Sequence, residues 1–142
     1  MQEHASHHPI TGTWRLESFA LEMPDGQKSY PYGEELVGYL LYGESGHMSA
    51  AFMNAERKSD GTEDLAEARD NNDVGAFMAY SGPFEVEGDR ILHQVEVSAL
   101  AAWIGTVQER WFKLDGDRLE LLTTPLAVAG EAPVARLSWT RA

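Results

Sequence analysis

His93, Gln108 and Arg110 are the side chains best equipped to hold or move charge on a small molecule in this 142-residue chain. They sit on two runs of alternating character, Ile91–Ser98 and Thr106–Leu114, joined by a loop over Ala99–Gly105. Successive strand residues face opposite sides of a sheet. If Phe112 and Leu114 turn inward, Gln108 and Arg110 turn inward with them, and Glu109, Trp111 and Lys113 turn out. On the earlier run, Ile91, His93, Val95 and Val97 share one face. Antiparallel pairing then brings His93, Gln108 and Arg110 to one interior patch. A register slip of one residue would put Glu109 and Trp111 inside instead.

An unpaired guanidinium in a dry core costs several kcal/mol. An inward Arg110 therefore needs an acid, water, or the carbonyl or anionic oxygen of a ligand. A histidine titrates near neutrality and suits proton transfer. Arg110 and Gln108 would then hold an oxygen that gains charge. The plainer reading of His93 is a hydrogen-bonded core residue.

Other chemistries find no footing. The chain has no cysteine, which removes disulfides and thiolate metal sites. The five histidines show no metal-ligand spacing. Ser49 has no nucleophile-elbow pattern around it, and no glycine-rich phosphate loop occurs. We therefore expect neither cofactor nor metal. Lys and Arg total 11 against 23 Asp and Glu, a formal net charge of −12. Such a surface repels phosphate backbones and anionic membranes, so neither nucleic acid nor a membrane is expected as a partner. No stretch approaches the roughly 18 apolar residues of a membrane helix. The start, MQEHASHH, has no signal-peptide pattern, and the expected location is the cytoplasm.

The rest of the chain must supply the frame. Residues 1–9 read as a flexible, polar start, and residues 10–142 as one domain. Strands are expected over Thr13–Leu21, Val37–Tyr42, His47–Met53, Phe84–Val86, Ile91–Ser98, Thr106–Leu114, Leu119–Thr123 and Val134–Thr140. Gly88-Asp89 and Gly116-Asp117 are near-copies of one hairpin turn. Thr62–Arg69 reads as a short helix capped by Thr62, and Val74–Tyr80 fits either helix or strand. Leu119, Leu121 and Thr123 face in, as do Ala135, Leu137 and Trp139. Many short strands with turns at this spacing argue an all-β sandwich or closed antiparallel barrel.

Gly12-Thr13-Trp14 resembles the Gly-x-Trp that opens lipocalin barrels, whose Trp plugs one end under an arginine. Arg141 and Arg136 are the candidates for that arginine. A longer resemblance, to small lipocalin-like domain proteins, runs through Gly12–Leu16, Tyr30–Gly33, Val37–Tyr42, Gly46–Ala50, Tyr80–Phe84, Trp103–Thr106 and Leu137–Trp139. It implies an up-and-down barrel of 8–10 strands with a short helix near one mouth. Some similar barrels act as cyclases or isomerases, and others are binders. The stretch Ala99–Ala102 is more apolar than that resemblance leads one to expect, and favours a short helical turn presenting Trp103 to the mouth.

Three readings follow. The first is a binder of a small, largely apolar molecule bearing a carbonyl or carboxylate. Its pocket would be lined by Trp14, Tyr39, Phe84, His93, Val95, Trp103, Gln108, Arg110, Phe112, Leu121 and Trp139. The second is a cofactor-free isomerase or cyclase with His93 and Arg110 catalytic. The third is a stress or interaction protein whose barrel interior is fully packed, favoured by a cavity under about 300 Å³. Outward Phe19 and Trp111 would mark a homodimer face.

Overall fold

The structure is a computed structural model that describes residues 8–57, 77–124 and 132–142. Its strands are β1 (Gly12–Glu22), β2 (Lys28–Ser29), β3 (Leu36–Tyr42), β4 (His47–Asn54), β5 (Phe77–Glu87), β6 (Arg90–Gln94), β7 (Val97–Ser98), β8 (Val107–Asp115), β9 (Arg118–Leu122) and β10 (Val134–Arg141). All pairings among them are antiparallel. The order is β1-β3-β4-β5-β6-β8-β9-β10, and β10 pairs back onto β1. That ring of eight strands is a closed barrel, with the short β2 and β7 beside β1 and β5. Closure pairs both edges of every ring strand and removes the free edges that invite aggregation.

Turn chemistry sets much of this register. Glu87 pairs with Arg90 and Asp115 with Arg118, so Gly88-Asp89 and Gly116-Asp117 are two-residue hairpin loops. Gly88 and Gly116 have φ of 63° and 59°, a left-handed conformation that glycine adopts without steric cost. The seam between first and last strands is fastened outside by Arg136, which donates to Glu22 and Glu120.

Strict alternation holds where the strands are regular. Leu119, Leu121 and Thr123 are buried, as are Ala135, Leu137 and Trp139. Trp14 is fully buried, its Nε1 donates to the Ile10 carbonyl at 2.8 Å, and the Arg141 guanidinium lies 4.1 Å from its ring centroid. Arg141, not Arg136, is thus the arginine that covers the plug.

Two bulges break the alternation and correct the expected facing. In β1, Leu16 pairs with Trp139 and Ser18 with Ser138, so Glu17 is an extra residue. The bulge rotates the chain, and Phe19 packs against the core rather than marking an outer dimer face. At the end of β6, three steps along β5 (Phe84 to Ser81) span four along the partner (His93 to Val97). Val95 stays buried, but Val97 is turned outward and is 66% exposed. Gly82 makes this second bulge possible, because a Cβ there would stand 1.7 Å from the Gln94 carbonyl oxygen.

The expected helix over Thr62–Arg69 lies outside the described residues, as does the start of the ambiguous Val74–Tyr80 segment, whose remainder belongs to β5. The Ala99–Ala102 region does form a helical turn, a 3-10 turn over Ala101–Trp103.

Candidate functional site

The barrel encloses a cavity of about 260 Å³. Its walls come from one half of the barrel. Leu40 lines it but Tyr42, further along β3, does not; Ala50 and Phe52 do, but Met48 does not; Met78 and Tyr80 do, but Phe84 does not. The other half is filled by Trp14, Tyr42, Phe84 and Ile91, all buried. Phe19, Tyr32 and Phe52 form an aromatic corner with ring centroids 5.1–5.6 Å apart. Leu121, Thr123, Ala135, Leu137 and Trp139 close the opposite wall. Pro31 and Leu100 both line the cavity and are exposed, so the opening lies between the turn before β3 and the 3-10 turn.

Arg110 is the charged residue of this wall among the described residues. It is 7% exposed. Its Nη1 donates to the Glu109 carbonyl at 2.8 Å, and its guanidinium carbon lies 5.6 Å from the Trp103 ring centroid. Among the described residues, no carboxylate forms an ion pair with it. The Glu109 side chain turns away and meets Arg90. The register pairs Ile91 with Arg110 and His93 with Gln108, so the three polar residues do share one inward face.

His93 sits behind that wall. It is fully buried and does not line the cavity. The Tyr80 hydroxyl lies 2.9 Å from its Nδ1 and the Tyr42 hydroxyl 2.7 Å from its Nε2. Burial, reinforced by the Arg110 charge, pushes His93 well below the usual histidine range, so the imidazole is neutral at pH 7. Burial also raises the Tyr80 and Tyr42 phenols, with Arg110 opposing the shift at each.

The neutral histidine makes stability depend on pH. The unfolded chain protonates His93 near the ordinary value of 6.5, and the folded chain resists doing so. Below pH 6.5 the unfolded state binds more protons, so stability falls as pH falls, approaching about 1.4 kcal/mol per pH unit from this group. Urea unfolding at pH 7.5 and 5.5 measures it. The expected result is a loss attributable to His93, smaller by that amount in His93→Gln; an identical loss in both proteins would contradict it.

Of the eleven residues expected at a pocket, Trp103, Arg110, Leu121 and Trp139 line the cavity. Trp14, Phe84, His93 and Val95 are buried but do not line it. Gln108 is half-buried and donates to Thr106 Oγ1 at 2.8 Å. Phe112 is half-buried and meets the His8 ring edge-on at 5.8 Å. Tyr39 stands on the outer face at 43% exposure, because alternation in β3 turns Leu40 and Tyr42 inward. The indole of Trp139 forms wall, while its Nε1 is buried with no hydrogen-bond partner among the described residues.

The important lining residues missed by sequence are Phe19, hidden by a bulge, Tyr32, which sits in a turn, and Tyr80, in the segment that reads as either helix or strand. Tyr80-Ser81-Gly82-Pro83-Phe84 is visible as a motif, and its first residue carries a hydroxyl within hydrogen-bond reach of His93. Among the described residues, no three His, Asp or Glu side chains are grouped to hold a metal ion, and no helix is long and apolar enough to cross a membrane.

Known proteins share this architecture. A crystal structure of a lipocalin-like protein from Bacteroides uniformis superposes with a TM-score of 0.50, covering 94% of this chain and 98% of that one at 13% identity. That likeness concerns the fold. A 4'-hydroxy-3'-methoxypropiophenone carrier protein from Aspergillus oryzae is 39% identical over 74 residues, which are 46% of this chain and 67% of the carrier. The lipocalin-like domain model matches residues 11–142, from the strand that carries the Trp14 plug to the strand that closes the barrel, and the chain belongs to that family.

Proposed function

We propose that this barrel binds a small, largely apolar molecule whose carbonyl or carboxylate oxygen meets Arg110. The observation that carries the reading is a buried guanidinium on the wall of an apolar cavity, with no carboxylate partner among the described residues. Apolar walls supply contact area, and a few polar groups orient the guest.

Size narrows the guest. A cavity of about 260 Å³ falls just below the usual range for drug-sized ligands, about 300–1,000 Å³. An apolar cavity of about 150 Å³ accepts benzene. The space therefore suits one substituted ring rather than a large polycyclic product. It also exceeds anything that ordinary packing leaves, since interiors hold few voids larger than a water molecule. By the mark of about 300 Å³ the volume counts toward the packed barrel and against a drug-sized guest, so the reading is confined to a guest of one ring. The carrier from Aspergillus oryzae is named for an aryl ketone, which is a ring with one carbonyl on its side chain.

The isomerase or cyclase reading finds less support. Both ring nitrogens of His93 are engaged by tyrosines, and Tyr80 stands between His93 and the cavity.

Titration of the protein with propiophenone and with benzoate, followed by calorimetry and by the fluorescence of Trp103 and Trp139, tests the proposal. We expect saturable binding with Kd of roughly 1–100 μM, consistent with the ligand efficiency of molecules of about ten heavy atoms. Absence of binding by either probe up to millimolar concentration would remove it.

A further inference from the structure

We infer that Tyr80 is a specificity-determining residue whose hydroxyl hydrogen is directed to the ligand by the buried chain Tyr42–His93–Tyr80. The inference rests on the proposed binding site and adds a second donor beside Arg110.

Tyr42 is 1% exposed, and the hydrogen-bond partner of its hydroxyl is His93 Nε2, at 2.7 Å. A buried O–H left without an acceptor forfeits its full hydration, which is why such groups are almost always paired. Tyr42 must therefore donate to Nε2, and Nε2 must carry the lone pair. A neutral imidazole has a single N–H. The proton is then on Nδ1, which donates to the Tyr80 oxygen at 2.9 Å. A cationic ring would donate from both nitrogens and leave the Tyr42 hydrogen stranded. Burial together with the Arg110 charge disfavours that cation.

The opposite tautomer also satisfies both ring nitrogens, but strands the hydrogen of Tyr42 in the packed half of the barrel. The tautomer argued above moves the unmet hydrogen to Tyr80, which lines the cavity. There a guest can accept it. The placement of one proton in the core thus fixes the polarity of a group on the wall.

Among the described residues, Arg110 and Tyr80 make a patch that only donates. Arg110 has five N–H donors and no acceptor. The Tyr80 oxygen takes the Nδ1–H and offers its own hydrogen outward. A carbonyl or carboxylate oxygen satisfies both groups. A ligand hydroxyl could accept from both groups, but its own hydrogen would then find no acceptor in the patch, and an ammonium has no lone pair to offer. The patch therefore selects a ketone or acid over the corresponding alcohol or amine.

Two measurements test this on the intact protein. Long-range proton–nitrogen NMR correlations on 15N-histidine-labelled protein identify the His93 tautomer. We expect the proton on Nδ1; a proton on Nε2, or on both nitrogens, overturns the inference whatever the ligand. The second measurement compares propiophenone with 2-phenylbut-1-ene, in which a CH2 replaces the carbonyl oxygen. Tyr80→Phe is expected to weaken ketone binding about five-fold, the size of one neutral hydrogen bond, and to leave the alkene unchanged. If wild-type protein binds the ketone but Tyr80→Phe binds it equally well, the role of Tyr80 is wrong while the binding site stands. If wild-type protein binds neither probe, the binding site itself is wrong, and the assigned role of Tyr80 falls with it.

Discussion

Arg110→Met should weaken the binding of benzoate about 10- to 100-fold and make the protein more stable. The two effects have one cause. A charge-assisted hydrogen bond to a carboxylate contributes about 1.5–3 kcal/mol, which is the stated fold-change. In the empty barrel the same guanidinium has a backbone carbonyl, an aromatic face and the neighbouring Tyr80 hydroxyl for company, and no carboxylate among the described residues. Replacing a buried ion by an apolar side chain of similar length often stabilises the fold, here by about 1 kcal/mol. Met also fills the space that Arg110 vacates. Urea unfolding of the empty protein and calorimetric titration with benzoate, run on both proteins, give the two numbers. A variant that is less stable than wild type by more than about 1 kcal/mol would mean that Arg110 is a structural residue. A variant that is more stable but binds benzoate as before would place the acid elsewhere in the cavity.

The second large effect is expected far from any charge. Gly82→Ala should destabilise the barrel by about 3 kcal/mol or more, because the added methyl meets backbone rather than a movable side chain. Its position would be 1.7 Å from the Gln94 carbonyl oxygen and 2.9 Å from the Gln94 carbonyl carbon. Relief requires β6 and β7 to separate from β5. That shift would break the bond from Glu96 N–H to the Ser81 carbonyl, at 2.9 Å, and that from Ala99 N–H to the Ala79 carbonyl, at 2.8 Å. The 3-10 turn with Trp103 follows directly, so ligand affinity should fall as well. A denaturation midpoint within error of wild type would show that the strands have slack at this bulge. Gly46→Ala is a useful contrast: nothing lies within 4 Å of the point its new methyl would occupy, and the strain there comes only from a φ of 88°.

These two residues also show what can be read from the sequence and what cannot. The inward facing of Arg110 is legible because β8 is regular from Val107 to Asp115, and alternation carries from Phe112 back to Arg110. The hairpins at Gly88 and Gly116 are legible because glycine at a two-residue loop has a local steric reason. The bulges are not. An inserted residue resets the alternation for everything after it, and neither Glu17 nor Glu96 differs in type from an ordinary outward strand residue. Alternation consequently places Phe19 and Val97 on the wrong faces. The position of the cavity along the barrel is also hidden. It depends on Trp14, Tyr42, Phe84 and Ile91 filling one half, and alternation says only that they point inward. That is why Phe84 and Val95, correctly turned inward, lie outside the pocket, and why the hydroxyl at the wall belongs to Tyr80 while His93 stands behind it.

The seam between β1 and β10 has a consequence for the order in which the protein can come to work. Trp14 pairs with Arg141 and Glu22 with Val134, so the first strand of the barrel finds its partner in the last, more than a hundred residues on. Pairings of such separation make folding slow. During synthesis the wall formed by Ala135, Leu137 and Trp139 leaves the ribosome after every other strand of the barrel, and until it docks the apolar lining contributed by β1, β3 and β4 faces water. The nascent barrel therefore has nothing to hold a guest and a good deal for a chaperone to hold. Ligand capture begins only once β10 has docked on β1, as a property of the closed barrel.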